Sequence, residues 1–295
     1  MPNTILIDSV IAPEGPVWDA ENTLYLVEMG RKCLTAVEKD GSGAKIIATT
    51  RHRPNGLAMD GNGRLWVAEA YEGAIICFDA NGKVLKRIEG EPGDPLLWPN
   101  DLAFGPNGLL YVTDSGIKED DFLIDGAIRP DYAAVAFKGR VLEIAPSSGR
   151  VLRTIDSGLR FANGIAFGPD TRLYVNETMT GLVFRYDLGA SGKREIFGNV
   201  VRSDLPPSLR GPDGMKFGAD GRLYCTVFGQ GDVTVLGLDG AVAERMPTLG
   251  NKPTNIAFSR AGGAFAAVTE IDGAAVEIMQ TPCEGYPLFY PTFEI

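Results

Sequence analysis

WPNDLAFGPNGLLYVTD, residues 98–114, is the stretch from which the fold is read. Two short apolar runs, 102–104 and 109–112, flank a Gly-Pro-Asn-Gly turn, the pattern of a tight β-hairpin. The hairpin opens with an amide and a carboxylate, Asn100 and Asp101, directly ahead of residues that favour burial. Alone, such a start is a turn; its recurrence decides whether it is more.

It recurs along the whole chain. EGPVWDAENTLYLVE begins at Glu14, PNGLAMDGNGRLWVAE at Pro54, ANGIAFGPDTRLYVNE at Ala162, PDGMKFGADGRLYCTV at Pro212 and TNIAFSRAGGAFAAVTE at Thr254. The leading polar residues are Glu14, Asn55, Asn100, Asn163, Asp213 and Asn255, at spacings of 41, 45, 63, 50 and 42. Short strands with turn signals at such periods indicate a β-propeller. Long helical periods of the kind that TIM barrels and Rossmann folds require are missing. The second unit parses into strands at 56–59, 64–68, 74–79 and 83–88, whereas the sixth supplies only 256–258, 264–269 and 274–279. The N-terminal ILIDSV, residues 5–10, is expected as the missing strand, closing the ring and protecting its edges. The expectation is therefore all-β: one six-bladed β-propeller domain over residues 1–295.

Bulk properties narrow the function. The 295 residues are 44% apolar and 22% charged, ordinary for a globular protein. A net charge of −10 disfavours a nucleic-acid partner, which needs a basic face, but not a small neutral substrate or a cation. Cys33, Cys77, Cys225 and Cys283 lack metal-ligand spacing and read as small free hydrophobes, as in a reducing compartment. Neither a leader pattern nor an apolar run long enough for a membrane span is evident, so a cytoplasmic protein without membrane partners is expected, monomeric or a small homo-oligomer.

In a propeller blade the first strand lines the central channel. The six leading residues therefore converge at one end of that channel. Two carboxylates and four amides are oxygen donors suited to a hard cation: Ca²⁺ first, with Mg²⁺, Mn²⁺ and Zn²⁺ as alternatives. Without a metal, Glu14 and Asp213 would be like charges in a confined space. Asn55 and Asn255 also fit as turn formers; Glu14 does not, because Glu is a poor turn residue. A second series, Glu28, Glu69, Asp114, Glu177 and Glu270, closes the second strands and reads as architecture, carboxylates accepting turn N–H bonds. The spacing of 63 places an insertion between the second and third strands of blade 3, about 115–137, on the same face; it is expected as a lid or wall. Neighbouring loops bring His52, Arg53, Trp98, Arg160, Phe161, Arg202, Arg210 and Lys252 near the mouth. His52 is the sole histidine, and GxSxG, HExxH, P-loop and dinucleotide-binding motifs are all missing. Metal-assisted hydrolysis of an ester-like bond, with a carboxylate as general base, is the remaining chemistry.

EGPVW, WPNDLAF, ANGIAF, GPDGMKF and PTNIAF resemble the motifs of the senescence marker protein/gluconolactonase/luciferin-regenerating-enzyme family of six-bladed propellers, over nearly the whole chain. The resemblance implies a divalent metal ligated by Glu14, Asn163 and Asp213, with Asn100 as a further ligand or substrate-positioning residue and Asp213 as general base. Diisopropyl-fluorophosphatase-like relatives also ligate calcium with the residue matching Asn100, and Asn100-Asp101 echoes the Asn-Asp pair of paraoxonase-like proteins. Sugar-lactonase members often carry Arg where this chain has Trp98, so a less polar lactone is at least as well matched as a gluconolactone. The expected function is a metal-dependent lactonase. Catalytic roles fall to Asp213 and Asn100, and Trp98, Asp101, Asn55, Asn255, His52 and Arg160 are substrate-pocket candidates. A phosphotriesterase-type hydrolase and a non-catalytic calcium- or protein-binding propeller are the alternatives.

Overall fold

A computed structural model describes residues 3–189, 193–206 and 208–295. Six four-stranded antiparallel sheets follow one another around a ring, the first five in sequence order from inside to outside. Their inner strands are Pro13–Trp18, Pro54–Met59, Pro99–Phe104, Ala162–Phe167, Gly211–Phe217 and Pro253–Phe258. In the sixth blade Pro253–Phe258, Phe265–Glu270 and Ala275–Gln280 are completed by Thr4–Ile7, paired antiparallel to Ala275–Gln280. The ring is thus closed by the N-terminal segment, in a strand shorter than the sequence suggested.

In blades 1 to 5 the inner strand turns into the second through a short polar loop of four or five residues. Asp19, Asp60, Asn107, Asp170 and Asp220 all accept backbone N–H bonds from residues two or four further on. This is the Asx-turn chemistry written in the recurring DGNG-like motifs. The last turn position takes a left-handed backbone, met by Gly63, Gly108 and Gly221, and in blade 4 by Thr171 at φ 62°.

The core is not one mass but six apolar layers, each between neighbouring blades. Leu34, Val27 and Ala48 of blade 1 meet Leu57, Met59 and Leu65 of blade 2. Equivalent layers follow around the ring to the one joining blades 6 and 1 around Trp18, Leu24 and Val276. A seventh cluster lies outside this scheme: Ile117 and Phe122 of the insertion pack on Trp98, Phe161 and Ala70. The insertion joins Leu110–Asp114 to Gly139–Ala145, the second and third strands of blade 3, and contains the short helix Glu119–Phe122 and a small hairpin, Leu123–Ile124 with Ala127–Ile128.

The C-terminal residues add an element that the repeat did not announce. After Gln280 the chain bridges to blade 5 through Gly285 and Gly218, and the Tyr286 N–H donates to the Phe217 carbonyl at 2.8 Å. It then crosses the end of the channel opposite the leading residues. Phe289 meets Phe167 edge-on, and Phe293 packs against Trp66 under Arg64 of blade 2. Cys33, Cys77 and Cys225 are buried free thiols as expected, but Cys283, on this crossing segment, is half-buried.

Candidate metal centre at the channel mouth

Strand register divides the upper channel into two tiers. In the first tier stand Glu14, Asn55, Asn100, Asn163 and Asp213, each four residues before the end of its inner strand. Asn255 differs from the expectation. Its strand carries one residue fewer between the leading position and Phe258, so Thr254 takes the first tier and Asn255 falls into the second, level with Asp101. The local bonds agree. The backbone N–H groups of Asp101 and Asn255 each donate at 3.0 Å to a second-strand threonine hydroxyl, Thr113 or Thr269. Each residue also accepts the next N–H on its own side-chain oxygen.

The second tier is otherwise glycine: Gly15, Gly56, Gly164 and Gly214. The axis has no room for more side chains. A Cβ on Gly214 would lie 2.0 Å from the Asn255 amide, and one on Gly56 would lie 2.7 Å from Asp101 Oδ1. Glycine is required by close approach rather than by backbone angle at both positions.

The amides and acids lock together across blades. Asn55 Nδ2 donates to Asn100 Oδ1 at 3.0 Å, and Asn255 Nδ2 donates to both Glu14 oxygens at 3.2 and 3.0 Å. Asn163 donates to Thr178 Oγ1 and leaves its own Oδ1 buried without a hydrogen-bond partner. Second-strand side chains stitch each blade to the next: Thr113 to the Asn163 carbonyl, Asn176 to the Asp213 carbonyl, Thr226 to the Thr254 carbonyl. These positioning groups lie just before or beside the recurrent acids, in YVTD, YVNE and YCTV, a polar residue in an otherwise apolar strand.

Three carboxylates share this enclosure. Burial raises Glu14 well above the ordinary range, and Asp213 and Asp101 raise it further. Asp101 is raised by burial against the pull of the Lys216 ammonium, whose Nζ lies 3.9 Å from Asp101 Oδ2. Asp213 is pushed up to about 8 by burial and by Asp101, against the Asn163 hydrogen bond and the Arg53 charge. Three acids against one axial ammonium leave two negative charges, the deficit that a divalent cation removes. Among the described residues no three His, Cys, Asp or Glu side chains group closely enough to hold an ion unaided. A cation at this mouth therefore needs amide oxygen as well, and the orphaned Asn163 Oδ1 is such a donor. The residues present fit a hard divalent ion.

Lys216 was not among the sequence candidates. Its signal was available: GMKF carries lysine where GLAM, DLAF, GIAF and NIAF carry alanine.

The remaining candidates lie around this centre rather than in it. Trp98 is buried, with Phe161 and Phe122 edge-on at 5.3 and 6.1 Å and the Arg53 guanidinium at 6.0 Å, so it supports the insertion. Arg160 donates to the Ala133 carbonyl of the insertion. His52 pairs with Glu72 at 2.9 Å and stacks on Tyr71. Its ring is thus engaged with blade 2 rather than with the channel residues. Arg202 pairs with Asp204 and Lys252 with Asp272. The recurrent second-strand acids are architectural. Glu28, Asp114, Glu177 and Glu270 accept the N–H groups of Ile11, Trp98, Arg160 and Lys252, which lead into the inner strands. In blade 5, where no such acid exists, Gln230 instead accepts the Arg202 N–H, well ahead of the inner strand Gly211–Phe217. None of the described helices is long and apolar enough to cross a membrane.

Comparison with known proteins agrees with this architecture. A gluconolactonase of Zymomonas mobilis is 26% identical over 260 residues, covering 81% of this chain and 70% of that protein. A lactonase of Staphylococcus haemolyticus is 25% identical over 241 residues, 79% and 68% of the two chains. Among solved structures, a gluconolactonase of Xanthomonas campestris superposes with a TM-score of 0.75 at 26% identity, covering 94% of this chain and 89% of the other. A calcium-binding regucalcin of Agrobacterium tumefaciens shares the fold at 19% identity and a TM-score of 0.76, covering 100% and 98%. The family model for the SMP-30/Gluconolactonase/LRE-like region matches residues 12–269, and the chain belongs to that family.

Proposed function

We propose that this protein is a metal-dependent lactonase. The observation that carries the reading is the meeting of Glu14, Asn163 and Asp213 at one channel end, with an amide oxygen left unpartnered among buried acids. The gluconolactonase and lactonase relatives support the reaction class.

Glu14, Asn163 and Asp213 would hold the ion, with Asn100 as fourth ligand or substrate contact. A divalent cation, Ca²⁺ first, supplies Lewis acidity toward the ester carbonyl when bound. Asp213 takes the proton from a water molecule as its oxygen attacks the carbonyl carbon. The ring C–O bond then breaks, and the proton passes from Asp213 to the departing alkoxide. Asn163, itself held by Thr178, favours the charged form of Asp213. Asn55 fixes the Asn100 amide by its 3.0 Å bond, so that Asn100 presents a defined face to the substrate. The insertion packed on Trp98 and Phe161 acts as a lid that restricts water at the mouth.

The test is a panel of sugar and aliphatic lactones in a pH-stat, with chelator-stripped protein and Ca²⁺, Mg²⁺, Mn²⁺ and Zn²⁺ restored one at a time. Metal-restored ring opening is the expected result. A protein that binds a metal tightly yet opens no lactone would end the lactonase reading and turn the search to phosphotriesters.

A further inference from the structure

Beneath the second tier, at the opposite end of the channel, lies a cavity of about 430 Å³, lined below by residues 284–290 of the crossing C-terminal segment. Its volume is in the range of small-ligand pockets. Register places one residue per blade around its wall: Val17, Ala58, Ala103, Ala166 and Ala257, with Lys216 in blade 5. The wall is therefore smooth and apolar, with a single cation at its inner end.

Two features make this more than a packing gap. Lys216 accepts no neutral alternative to solvation: its ammonium has no hydrogen-bond acceptor within reach among the described residues, only the loose 3.9 Å pairing with Asp101. The Lys216 side chain is 15% exposed, so its free N–H groups open on the cavity and can bond a partner there. That partner is neutral, because Asp101 already balances the charge and a second buried anion would be uncompensated. At the rim, Arg260 lies 3.7 Å over the Tyr290 ring and pairs with no carboxylate among the described residues. The nearby Glu284 is occupied by the Gly263 N–H at 3.1 Å. Glu284 keeps its charge on the same rim but lies outside ion-pair distance of Arg260, which leaves that guanidinium as the group able to take an anion.

We infer that this end of the channel is a second ligand site, for a hydroxycarboxylate with an apolar body. The hydroxyl oxygen accepts from Lys216, the methylenes lie along the alanine wall and the carboxylate meets Arg260. The chemistry follows from the cavity alone; only its likeness to a ring-opened lactone rests on the lactonase reading.

Calorimetry with 8-hydroxyoctanoate, octanoate and 1-octanol tests the assignment. The hydroxyacid is expected to bind at least about tenfold more tightly than either comparator, since each loses one hydrogen bond to a charged group. Ala166→Leu, which fills the wall, abolishes binding, and Arg260→Met weakens it about tenfold. Lys216→Met removes the inner donor, but it also strands Asp101 and is read only if the variant folds. Equal binding of all three probes, or binding unchanged in Ala166→Leu, overturns the site. So does the absence of binding, which would leave only water at Lys216. Lactone turnover by the same samples is scored separately, so failure of the lactonase reading leaves the calorimetric result standing.

Discussion

Asp213 sits where burial and Asp101 work against its ionisation while Asn163 and Arg53 work for it. In the role proposed for it as base, Asp213 is useful only with its proton removed, a state that a bound cation would favour. Asp213→Asn should lower kcat by about 10²–10⁴-fold, the usual contribution of a general base, as read by pH-stat with metal in excess. Thr171 offers a stability test. It holds a left-handed turn position that Gly108 and Gly221 hold in the equivalent turns. Thr171→Gly should raise unfolding free energy by about 1 kcal/mol in urea titration, because the β-branched side chain is strained there. The first-tier positions were legible in the sequence because the same residue types recur ahead of the same apolar triplet. Asn255 was misplaced by one because the sole amide of PTNIAF was read as the leading residue, whereas the motif aligns on PNDLAF without a gap and puts Thr254 there. Lys216 escaped because a lysine between apolar neighbours reads as a solvated side chain until the channel puts it beside Asp101.

At the scale of elements, the strand Ala275–Gln280 carries Glu277, which is fully buried and accepts the Leu249 N–H and the Asn3 amide. Burial pushes its carboxyl from 4.5 to about 7. The folded chain thus holds this proton more tightly than the unfolded chain. The stability it contributes is complete below the unfolded value of about 4.5 and is lost as pH rises through about 7, a change of roughly 3 kcal/mol. Glu277→Gln should raise Tm at pH 8 and change it much less at pH 5. The crossing segment is tested by Phe293→Ala, which removes the half-buried ring from Trp66 and should cost about 2 kcal/mol in chemical denaturation. The insertion was readable from a spacing that broke the repeat. The crossing segment was not, since it has no periodicity and its partners, Gly218, Gly61 and Trp66, are far away in the sequence.

For the molecule as a whole, a cation bound among groups from blades 1, 4 and 5 would tie together parts of the ring that do not all adjoin. Such binding adds to stability by mass action. At a metal concentration one hundred times Kd the gain is about 2.7 kcal/mol, seen as a rise in Tm that Glu14→Gln should remove. The number of blades and the order of strands followed from repetition alone, because each blade is the same local solution written six times.

The shared sixth blade also constrains how this protein is made. Thr4–Ile7 leaves the ribosome ahead of all six inner strands, yet its pairing partner, Ala275–Gln280, follows only after the rest of the ring has been made. At roughly 5–20 residues per second of synthesis the early strand waits tens of seconds for its place. Blades 1 to 5 can form in turn as they emerge, while the apolar faces of Trp18 and Leu24 stay uncovered. During that interval the nascent chain is an open arc with two adhesive ends, and it is then that it needs shielding from its neighbours on the polysome.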